Sequence, residues 1–249
     1  MTRVQFLGTS MDILTMRETI QAIDSRISAA KFTQHVVVNV AKIVQMRRNQ
    51  GLREAIAACD IINIDGVGVV IGGRFLGLKI EERVAGIDLF YELLHYAETK
   101  ALSVYLLGAT DDVIRQAVAS IDVDYPRLRI AGFHHGYFWD YEESIVRDIR
   151  RSGADMLFVG IGSPLKEQFI NRWKNQLGVA FAMGVGGTFD IVAGKVKRAP
   201  PWMQRTGLEW LYRIIQEPKR MWWRYLSTNS QFVIMLIFAK IRTSIKSDI

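Results

Sequence analysis

A carboxylate follows a short apolar run in the first third of the chain. Ile61–Ile64 is apolar apart from Asn63, and Asp65 comes directly after it, followed by Gly66 and Gly68. An apolar run that ends at glycines is typical of a buried strand, and open α/β sheets bind ligands at the carboxyl ends of their strands. A carboxylate there can accept a proton from a reacting hydroxyl group. We therefore predict that Asp65 is a catalytic base; the alternative is a side chain that caps the turn at Gly66.

Three glycine-rich turns follow other predicted strands. They are Gly108-Ala109-Thr110, Gly160-Ile161-Gly162-Ser163-Pro164 and Gly184-Val185-Gly186-Gly187. Such turns let backbone N–H groups and a helix N-terminus approach a phosphate, although tight connections between strand and helix use glycine for the same steric reason. Together the turns favour a nucleotide ligand. None matches the Gly-x-Gly-x-x-Gly fingerprint of dinucleotide folds or the Lys-Ser/Thr ending of a P-loop.

Four arginines are candidates for holding a diphosphate. Arg83 precedes a predicted helix, whereas Arg213, Arg220 and Arg224 lie near the end of the chain with spacings of seven and four residues. Those spacings would keep the last three near one helix face if a helix continued across Pro218, and guanidinium groups bind phosphate oxygens well. The alternatives are a surface arginine at position 83 and a solvated basic face on a membrane-surface helix.

These residues require a sheet whose strands end at one edge. The pattern predicts strands at Val4–Leu7, His35–Val38, Ile61–Ile64, Ser103–Leu107, Leu128–Ala131, Met156–Val159 and Val179–Met183, separated by helices, the first of them capped by Ser10 or Asp12. Alternating strands and helices indicate an α/β fold, with a Rossmann-like, mostly parallel sheet covered by helices on both faces. We predict an α/β catalytic domain at residues 1–194 and a helical, basic C-terminal appendage at residues 195–249.

The appendage differs in composition from the rest of the chain. It holds eleven Lys or Arg against three carboxylates, a net charge of +8, whereas residues 1–194 carry −1. Gly207–Glu217 is predicted as an amphipathic helix, and Pro218 suits the first turn of another. The apolar run Phe232–Ala239 has eight residues, far fewer than the roughly 20 that span a bilayer. We expect it to lie on a membrane or to pack on a partner.

The overall composition is that of a globular protein. Hydrophobic residues make up 49% and charged residues 23% of 249 positions, which argues against disorder. Cys59 is the only cysteine and the four histidines are scattered, so neither an internal disulfide nor a metal-ligand cluster is expected. The N-terminus lacks the apolar core of a signal peptide, and cytoplasmic residence is expected.

The chain resembles the WecG/TagA/CpsF family of bacterial glycosyltransferases over nearly its whole length. The matching stretches are Asn63-Ile64-Asp65-Gly66-Val67-Gly68, Arg83-Val84-Ala85-Gly86-Ile87-Asp88-Leu89, Gly184-Val185-Gly186-Gly187-Thr188-Phe189-Asp190, and Arg198-Ala199-Pro200-Pro201-Trp202 continuing into Gly207-Leu208-Glu209-Trp210-Leu211-Tyr212-Arg213 and Gln216-Glu217-Pro218-Lys219-Arg220. Each is a moderate signal alone, and their order makes them specific.

The resemblance implies an inverting transfer of a sugar from a UDP-sugar to a polyprenyl-diphosphate-linked sugar, in bacterial cell-surface polysaccharide synthesis. The enzyme would be peripheral on the inner face of the cytoplasmic membrane and would self-associate. Because the sequence has no evident metal site, we expect it to need no metal or cofactor, and because Phe232–Ala239 suits lipid better than nucleic acid, we expect it to bind no nucleic acid. Asp65 and Arg83 are the implied catalytic residues. The implied substrate-binding residues are Asn39, Asn63, Lys166 and Asp190, together with the glycines Gly108, Gly160, Gly162, Gly184, Gly186 and Gly187 and the arginines Arg213, Arg220 and Arg224.

Two positions depart from the family pattern. Many members carry threonine where this chain has Val37, and glutamine where it has Lys166. Both changes fall in the expected sugar pocket, so the donor sugar stays open among N-acetylmannosamine, its uronic acid, glucose and others.

Two other functions remain: another Rossmann-like, nucleotide-dependent enzyme such as an NAD-linked oxidoreductase, and a non-catalytic scaffold at the membrane surface.

Overall fold

The structure, a computed structural model, describes residues 2–247, and the side chains of residues 2–242 other than 220, 221 and 224. The described strands are β1 (Thr2–Phe6), β2 (Thr9–Ile13), β3 (Thr33–Val38), β4 (Ile61–Ile64), β5 (Ser103–Gly108), β6 (Arg129–His134), β7 (Met156–Gly160) and β8 (Phe181–Gly184). The described α-helices are α1 (Met16–Ser28), α2 (Val40–Met46), α3 (Gln50–Ala57), α4 (Val67–Phe75), α5 (Gly86–Thr99), α6 (Asp111–Asp124), α7 (Glu142–Ser152), α8 (Leu165–Trp173), α9 (Thr188–Val192), α10 (Pro201–Arg205), α11 (Glu209–Gln216) and α12 (Pro218–Ser247).

Six strands form one parallel sheet in the order β4-β3-β8-β7-β5-β6, and β1 and β2 form a separate antiparallel hairpin. Strands β3, β4, β5, β7 and β8 are buried along their whole length, as expected when helices cover both faces of a parallel sheet. Alternate residues of β8 point to opposite faces, because Phe181 and Met183 pack in one apolar cluster and Ala182 in another. The predicted α/β fold is confirmed.

The N-terminal region differs from the prediction. Ser10 and Asp12 do not cap a helix; they lie in β2, which pairs with β1 through a turn at Leu7 and Gly8, both at positive φ. Asp12 is fully buried, and its carboxylate tolerates burial because it accepts hydrogen bonds from the Arg3 guanidinium at 2.8 and 2.9 Å. The first helix begins at Met16 instead, after a capping box formed by Thr15 and Glu18.

The appendage is helical, as predicted, and part of it belongs to the core. Phe232 and Met235 of α12 are 4% and 8% exposed and pack with Phe6 and residues of α2 and α4. Arg213 does not share a continuous helix with Arg220 and Arg224, because Glu217 has φ −134° and ψ 64° and separates α11 from α12, which begins at Pro218 as predicted. None of the described helices contains a stretch that is both long and apolar enough to span a bilayer.

Candidate active site

The carboxyl ends of the six parallel strands lie along one edge of the sheet. Candidate residues stand at or directly after these ends: Asn39 after β3, Asp65 after β4, Gly108 at the end of β5, Gly160 at the end of β7 and Gly184 at the end of β8. Five helices, α2, α4, α6, α8 and α9, begin close behind these strand ends. The starts of α4, α6, α8 and α9 have no side-chain cap, and uncapped helix N–H groups make this edge favourable for an anionic ligand.

Asp65 is held at this edge through its backbone. Its N–H donates to the carbonyl of Val38 at 2.9 Å, and the amide of Gly86 at the start of α5 favours the ionised form of its carboxylate. The N-cap position of α4 is Gly66, so Asp65 stands one residue before the helix.

The pKa of Asp65 is raised. Burial is the main cause and the charge of Glu209 adds to it, while Arg83, Lys42 and the Gly86 amide oppose it. A carboxylate whose pKa lies above its ordinary range is a better proton acceptor than a surface aspartate. The electrostatic surroundings of Asp65 therefore suit a general base.

Arg83 lies close to Asp65 and is bound by the appendage. Its Nη1 donates to Glu209 Oε2 at 2.8 Å, and its Nη2 donates to the carbonyl of Gln204 at 3.4 Å. The second oxygen of Glu209 accepts from Arg198 Nε at 3.4 Å, and Arg198 Nη1 lies 2.6 Å from Asp88 Oδ1. Arg83 is therefore part of an ion-pair network between residues 1–194, which we call the body, and the appendage. It is not an isolated surface arginine.

Lys166 stands in a buried charge cluster behind the strand ends. The ammonium groups of Lys42 and Lys166 lie 2.8 and 3.1 Å from Glu167 Oε1, and Lys42 also donates to the carbonyl of Val37 at 2.7 Å. Burial lowers the pKa of Lys166, and the two cations lower that of Glu167 despite its burial. Lys166 thus has a partner within the chain, and its stem covers Gly184.

Two of the predicted glycines are explained by close packing. A Cβ on Gly108 would lie 2.4 Å from the carbonyl oxygen of Gly160, and one on Gly160 would lie 2.3 Å from the ring of Phe189. By contrast, a Cβ on Gly162 or Gly186 would meet no described atom within 4 Å. The turns after β7 and β8 are thus open at these two positions, and Gly187 is exposed beside them.

The structure corrects the prediction for Asn63. Its side chain is fully buried, with Oδ1 2.8 Å from His35 Nε2 and Nδ2 donating to Thr19 Oγ1 at 2.8 Å. Burial lowers the pKa of His35 to about 4, so this histidine is neutral. Asn63 therefore joins β4 to β3 and α1 and does not face the open edge.

The other predicted residues fall in four places. Asn39 caps α2, with its Oδ1 accepting from the N–H of Lys42 at 3.0 Å, and it lies next to the turn at Gly66. Asp190 is partly buried in α9. Arg213 borders a small cavity between body and appendage, which Arg198, Glu209 and Ile191 also line. Arg220 and Arg224 lie within α12, but their side chains are outside the described residues.

Sequence reasoning gave no role to Glu209, Arg198 or Lys42. Glu209 and Arg198 were visible only as members of the stretches that match the family, and the signal that could have found Lys42 was a lysine four residues after a predicted buried strand. Among the described residues, no three or more His, Cys, Asp or Glu side chains lie close enough together to hold a metal ion.

An open parallel sheet with a carboxylate of raised pKa at its carboxyl edge, flanked by a guanidinium group and free helix N-termini, defines a class of enzyme. It is an α/β enzyme whose ligand site lies at the carboxyl edge of the sheet. The sequence profile described as "Glycosyl transferase WecG/TagA/CpsF family" matches residues 4–246. The chain belongs to this family of glycosyltransferases, and the resemblance noted in the sequence is confirmed.

Curated relatives match most of the chain. A Bacillus subtilis (strain 168) protein is 38% identical over 205 residues, which cover 82% of this chain and 78% of the relative. A Staphylococcus aureus (strain MW2) protein is 32% identical over 222 residues, covering 88% and 87%. Both are named N-acetylglucosaminyldiphosphoundecaprenol N-acetyl-beta-D-mannosaminyltransferase.

Proposed function

We propose that this protein transfers a sugar from a UDP-sugar to a polyprenyl-diphosphate-linked sugar, with inversion at the anomeric carbon, in the synthesis of a bacterial cell-surface polysaccharide. The observation that carries the proposal is Asp65, a carboxylate of raised pKa at the carboxyl edge of the sheet. The names of the relatives support the acceptor, since both describe a sugar carried on diphosphoundecaprenol.

In this reaction the acceptor hydroxyl attacks the anomeric carbon from the face opposite the nucleotide. Asp65 takes the hydroxyl proton as the new C–O bond forms, and the bond between the anomeric carbon and the diphosphate breaks with its electron pair leaving on UDP. One displacement inverts the configuration. A positioned general base contributes about a hundred- to ten-thousandfold to such a rate.

The departing UDP carries negative charge that must be stabilised. Arg83 and Arg213 are the candidate cations, and the open turns at Gly162 and Gly186 offer backbone N–H groups. Such preorganised donors stabilise charge as it develops on a leaving group. We therefore propose that transfer needs neither a metal ion nor a cofactor.

We propose that the choice of donor sugar depends on the surroundings of Val37 and Lys166, the two positions that depart from the family pattern. Val37 is 8% exposed and approaches Gly86, where a Cβ would lie 3.2 Å from its Cγ2. Because valine cannot donate a hydrogen bond and Lys166 is bound to Glu167, we expect donor recognition here to differ from that of members with threonine and glutamine. The proposed donors are UDP-linked N-acetylmannosamine, its uronic acid and glucose.

We also propose that the protein works at the inner surface of the cytoplasmic membrane, where its lipid-linked acceptor resides. The support is a stripe of exposed apolar side chains on α12, which we name the apolar stripe: Trp222, Trp223, Leu226, Val233, Ile234, Ile237, Phe238 and Ile241. At about 100° per residue they lie on the side of the helix opposite Phe232 and Met235. An amphipathic helix of this kind binds at the lipid–water interface.

The experiment that tests the function measures UDP release from the three UDP-sugars with a short-chain polyprenyl-diphosphate-sugar acceptor. We expect acceptor-dependent release from one donor, loss of release in the Asp65→Asn variant, and unchanged release with EDTA. Loss of activity with EDTA that a divalent ion restores would contradict the metal-independent mechanism. No release and no UDP binding, with vesicle binding intact, would replace the proposal with the scaffold.

A further inference from the structure

We propose that Glu209, a residue of the appendage, is a positioning residue for the active site in the body. It holds the Arg83 guanidinium away from Asp65, so that the Asp65 carboxylate stays unpaired and able to accept a proton while the appendage is seated. This inference rests on the proposed role of Asp65 as the base.

The contacts of Arg83 carry the first step. Both of its terminal nitrogens are bound by the appendage, Nη1 to Glu209 Oε2 at 2.8 Å and Nη2 to the Gln204 carbonyl at 3.4 Å. Within the part of the chain that the structure describes, no ion pair joins Arg83 to Asp65, although the two charges are close enough for each to influence the other. The guanidinium group next to the base is thus bound to a different carboxylate.

The second step is that Glu209 is itself fixed. Its Oε1 accepts from Arg198 Nε at 3.4 Å, and Arg198 is tied back to the body through Asp88 at 2.6 Å. The side chains of Arg83, Glu209 and Arg198 are each only 20 to 21% exposed. Partly buried ion pairs that form a network hold their geometry better than isolated surface pairs, so Glu209 can keep Arg83 in place.

The third step concerns the charges that face Asp65. These are Arg83 in the segment before α5, Lys42 on α2, the amide of Gly86 on α5 and Glu209 on α11. Glu209 raises the pKa of Asp65 and Arg83 lowers it. Without Glu209, Arg83 loses its ion-pair partner, and its uncompensated positive charge is attracted to the Asp65 carboxylate. A direct ion pair would make Asp65 a weaker base and fix its side chain.

It follows that, without the appendage, Arg83 lacks its carboxylate partner and Asp65 is a weaker base. The carboxylate that compensates Arg83 is 126 residues away in the sequence from it and arrives only when α10 and α11 pack against the segment around Arg83 and Asp88. Seating of the appendage and readiness of Asp65 are coupled through one ion pair.

The test is a titration of the Asp65 carboxyl group by ¹³C NMR in the full-length protein, with the signal assigned by its absence in Asp65→Asn. We expect the pKa of Asp65 to fall in Glu209→Gln and to return towards the wild-type value in Glu209→Asp. The matched control is Asp112→Asn, which breaks a different ion pair between body and appendage, that of Asp112 with Lys195, outside the network of Arg83, Glu209 and Arg198. This control should leave the pKa unchanged.

A double variant separates positioning from a direct effect of the Glu209 charge. Since Arg83→Gln/Glu209→Gln removes both partners, it leaves neither charge unpaired. If Glu209 acts through Arg83, adding Glu209→Gln to Arg83→Gln lowers the pKa of Asp65 by less than adding it to the wild type. An equal decrease in both backgrounds, or no decrease in either, overturns the proposal.

The titration does not require turnover, so its result stands even if every donor fails in the UDP-release assay. With an active enzyme, the acid limb of the kcat/KM profile should move to lower pH in Glu209→Gln, with kcat at neutral pH down about tenfold because a weaker base takes the proton. A loss of kcat with an unmoved acid limb would mean that Glu209 only stabilises the fold, and it would contradict the inference.

Discussion

The ring of Phe232 in the appendage lies 6.2 Å from the ring of Phe6 in the first strand, centroid to centroid. The two residues come from opposite ends of the chain and pack in the same apolar cluster, with Phe232 also touching the place where a Cβ on Gly72 would stand. The middle of α12 is therefore a structural part of the body, and only its other side is free.

Replacing Phe232 by alanine should lower the free energy of unfolding by about 3 kcal/mol, because a large buried side chain leaves a cavity. The matched control is Phe238→Ala on the same helix, whose side chain is 62% exposed and whose loss should change stability by less than about 0.5 kcal/mol. Urea unfolding of both variants checks this. Equal effects would contradict the packing of α12 on the body.

The same packing changes what a truncation before Lys195 should do. From sequence we predicted an α/β catalytic domain at residues 1–194, and that domain division stays a prediction. In the structure, removal of Phe232 and Met235 uncovers Phe6 and the apolar faces of α2 and α4. We therefore expect the truncated chain to be markedly less stable than the full chain, and a thermal midpoint equal to that of the full chain would argue against this.

Asp65→Asn should abolish transfer and at the same time preserve or increase stability. The pKa of Asp65 is raised in the folded protein, so the folded state holds the proton more tightly than the unfolded state does. Stability from this group is present at low pH and is lost as the pH rises through the raised pKa. At neutral pH the ionised Asp65 carboxylate therefore lowers the stability of the folded protein, and an amide at this position removes that loss.

The measurements are activity and thermal unfolding at pH 7 and at acid pH. Activity should fall by at least about a hundredfold, while the stability difference between Asp65→Asn and the wild type should shrink on acidification. Asp12→Asn is the control, because Asp12 is buried and bound by Arg3; it should destabilise the fold without changing the turnover of folded molecules. A lower melting temperature in Asp65→Asn would indicate a structural role for Asp65.

Glu167→Gln should be strongly destabilising. The substitution leaves the ammonium groups of Lys42 and Lys166 buried without their carboxylate, a change that typically costs about 3–5 kcal/mol. The control Glu143→Gln removes an exposed partner 3.8 Å from Arg147 and should cost less than about 1 kcal/mol. Equal unfolding free energies of the two variants would show that the cluster contributes nothing.

The effect of Glu167 should also depend on pH. Its pKa is lowered from 4.5 to about 2 in the folded protein, so its stabilisation is complete above pH 4.5 and is lost as the pH falls towards 2. The gap between wild type and Glu167→Gln should therefore narrow below pH 4.5. A gap that widens on acidification would contradict this sign.

The sheet could be predicted from sequence because its signals are local. Ile61–Ile64 was predicted with the bounds that the structure gives, and β3, β5 and β7 were predicted to within two residues at each end, since β-branched runs ending at Gly or Asn mark buried strands. Strand β2 was missed because Ser10 and Asp12 look like helix caps, and only the distant partners of Asp12 show otherwise: Arg3 and the N–H of Ile62.

Only the part of the candidate site that has a local signal could be predicted from sequence. The position of Asp65 follows from the end of one strand, whereas the pairing of Arg83 with Glu209 joins residues 126 apart, and no local pattern encodes it. Asn63 was misjudged because a single stretch does not show which face of the strand its side chain occupies. The buried partners His35 and Thr19 decide that question.

The apolar stripe provides the last prediction. Trp222, Trp223 and Phe238 are 60, 71 and 62% exposed, and the surrounding appendage carries a net charge of +8. Aromatic side chains settle at the lipid–water interface, and basic residues are attracted to anionic headgroups. We therefore expect the protein to co-sediment with vesicles containing phosphatidylglycerol, more weakly with phosphatidylcholine alone and more weakly at high salt.

Trp223→Ala should weaken vesicle binding about tenfold, because it removes apolar area that the interface would bury. Val123→Ala on α6 is the control, since Val123 is also exposed, at 79%, but lies outside the apolar stripe. Activity should fall with Trp223→Ala only when the acceptor is embedded in vesicles and not with a water-soluble acceptor. Equal loss with both acceptors would move Trp223 from membrane binding to the catalytic step, and unchanged vesicle binding would leave the apolar stripe without the proposed role.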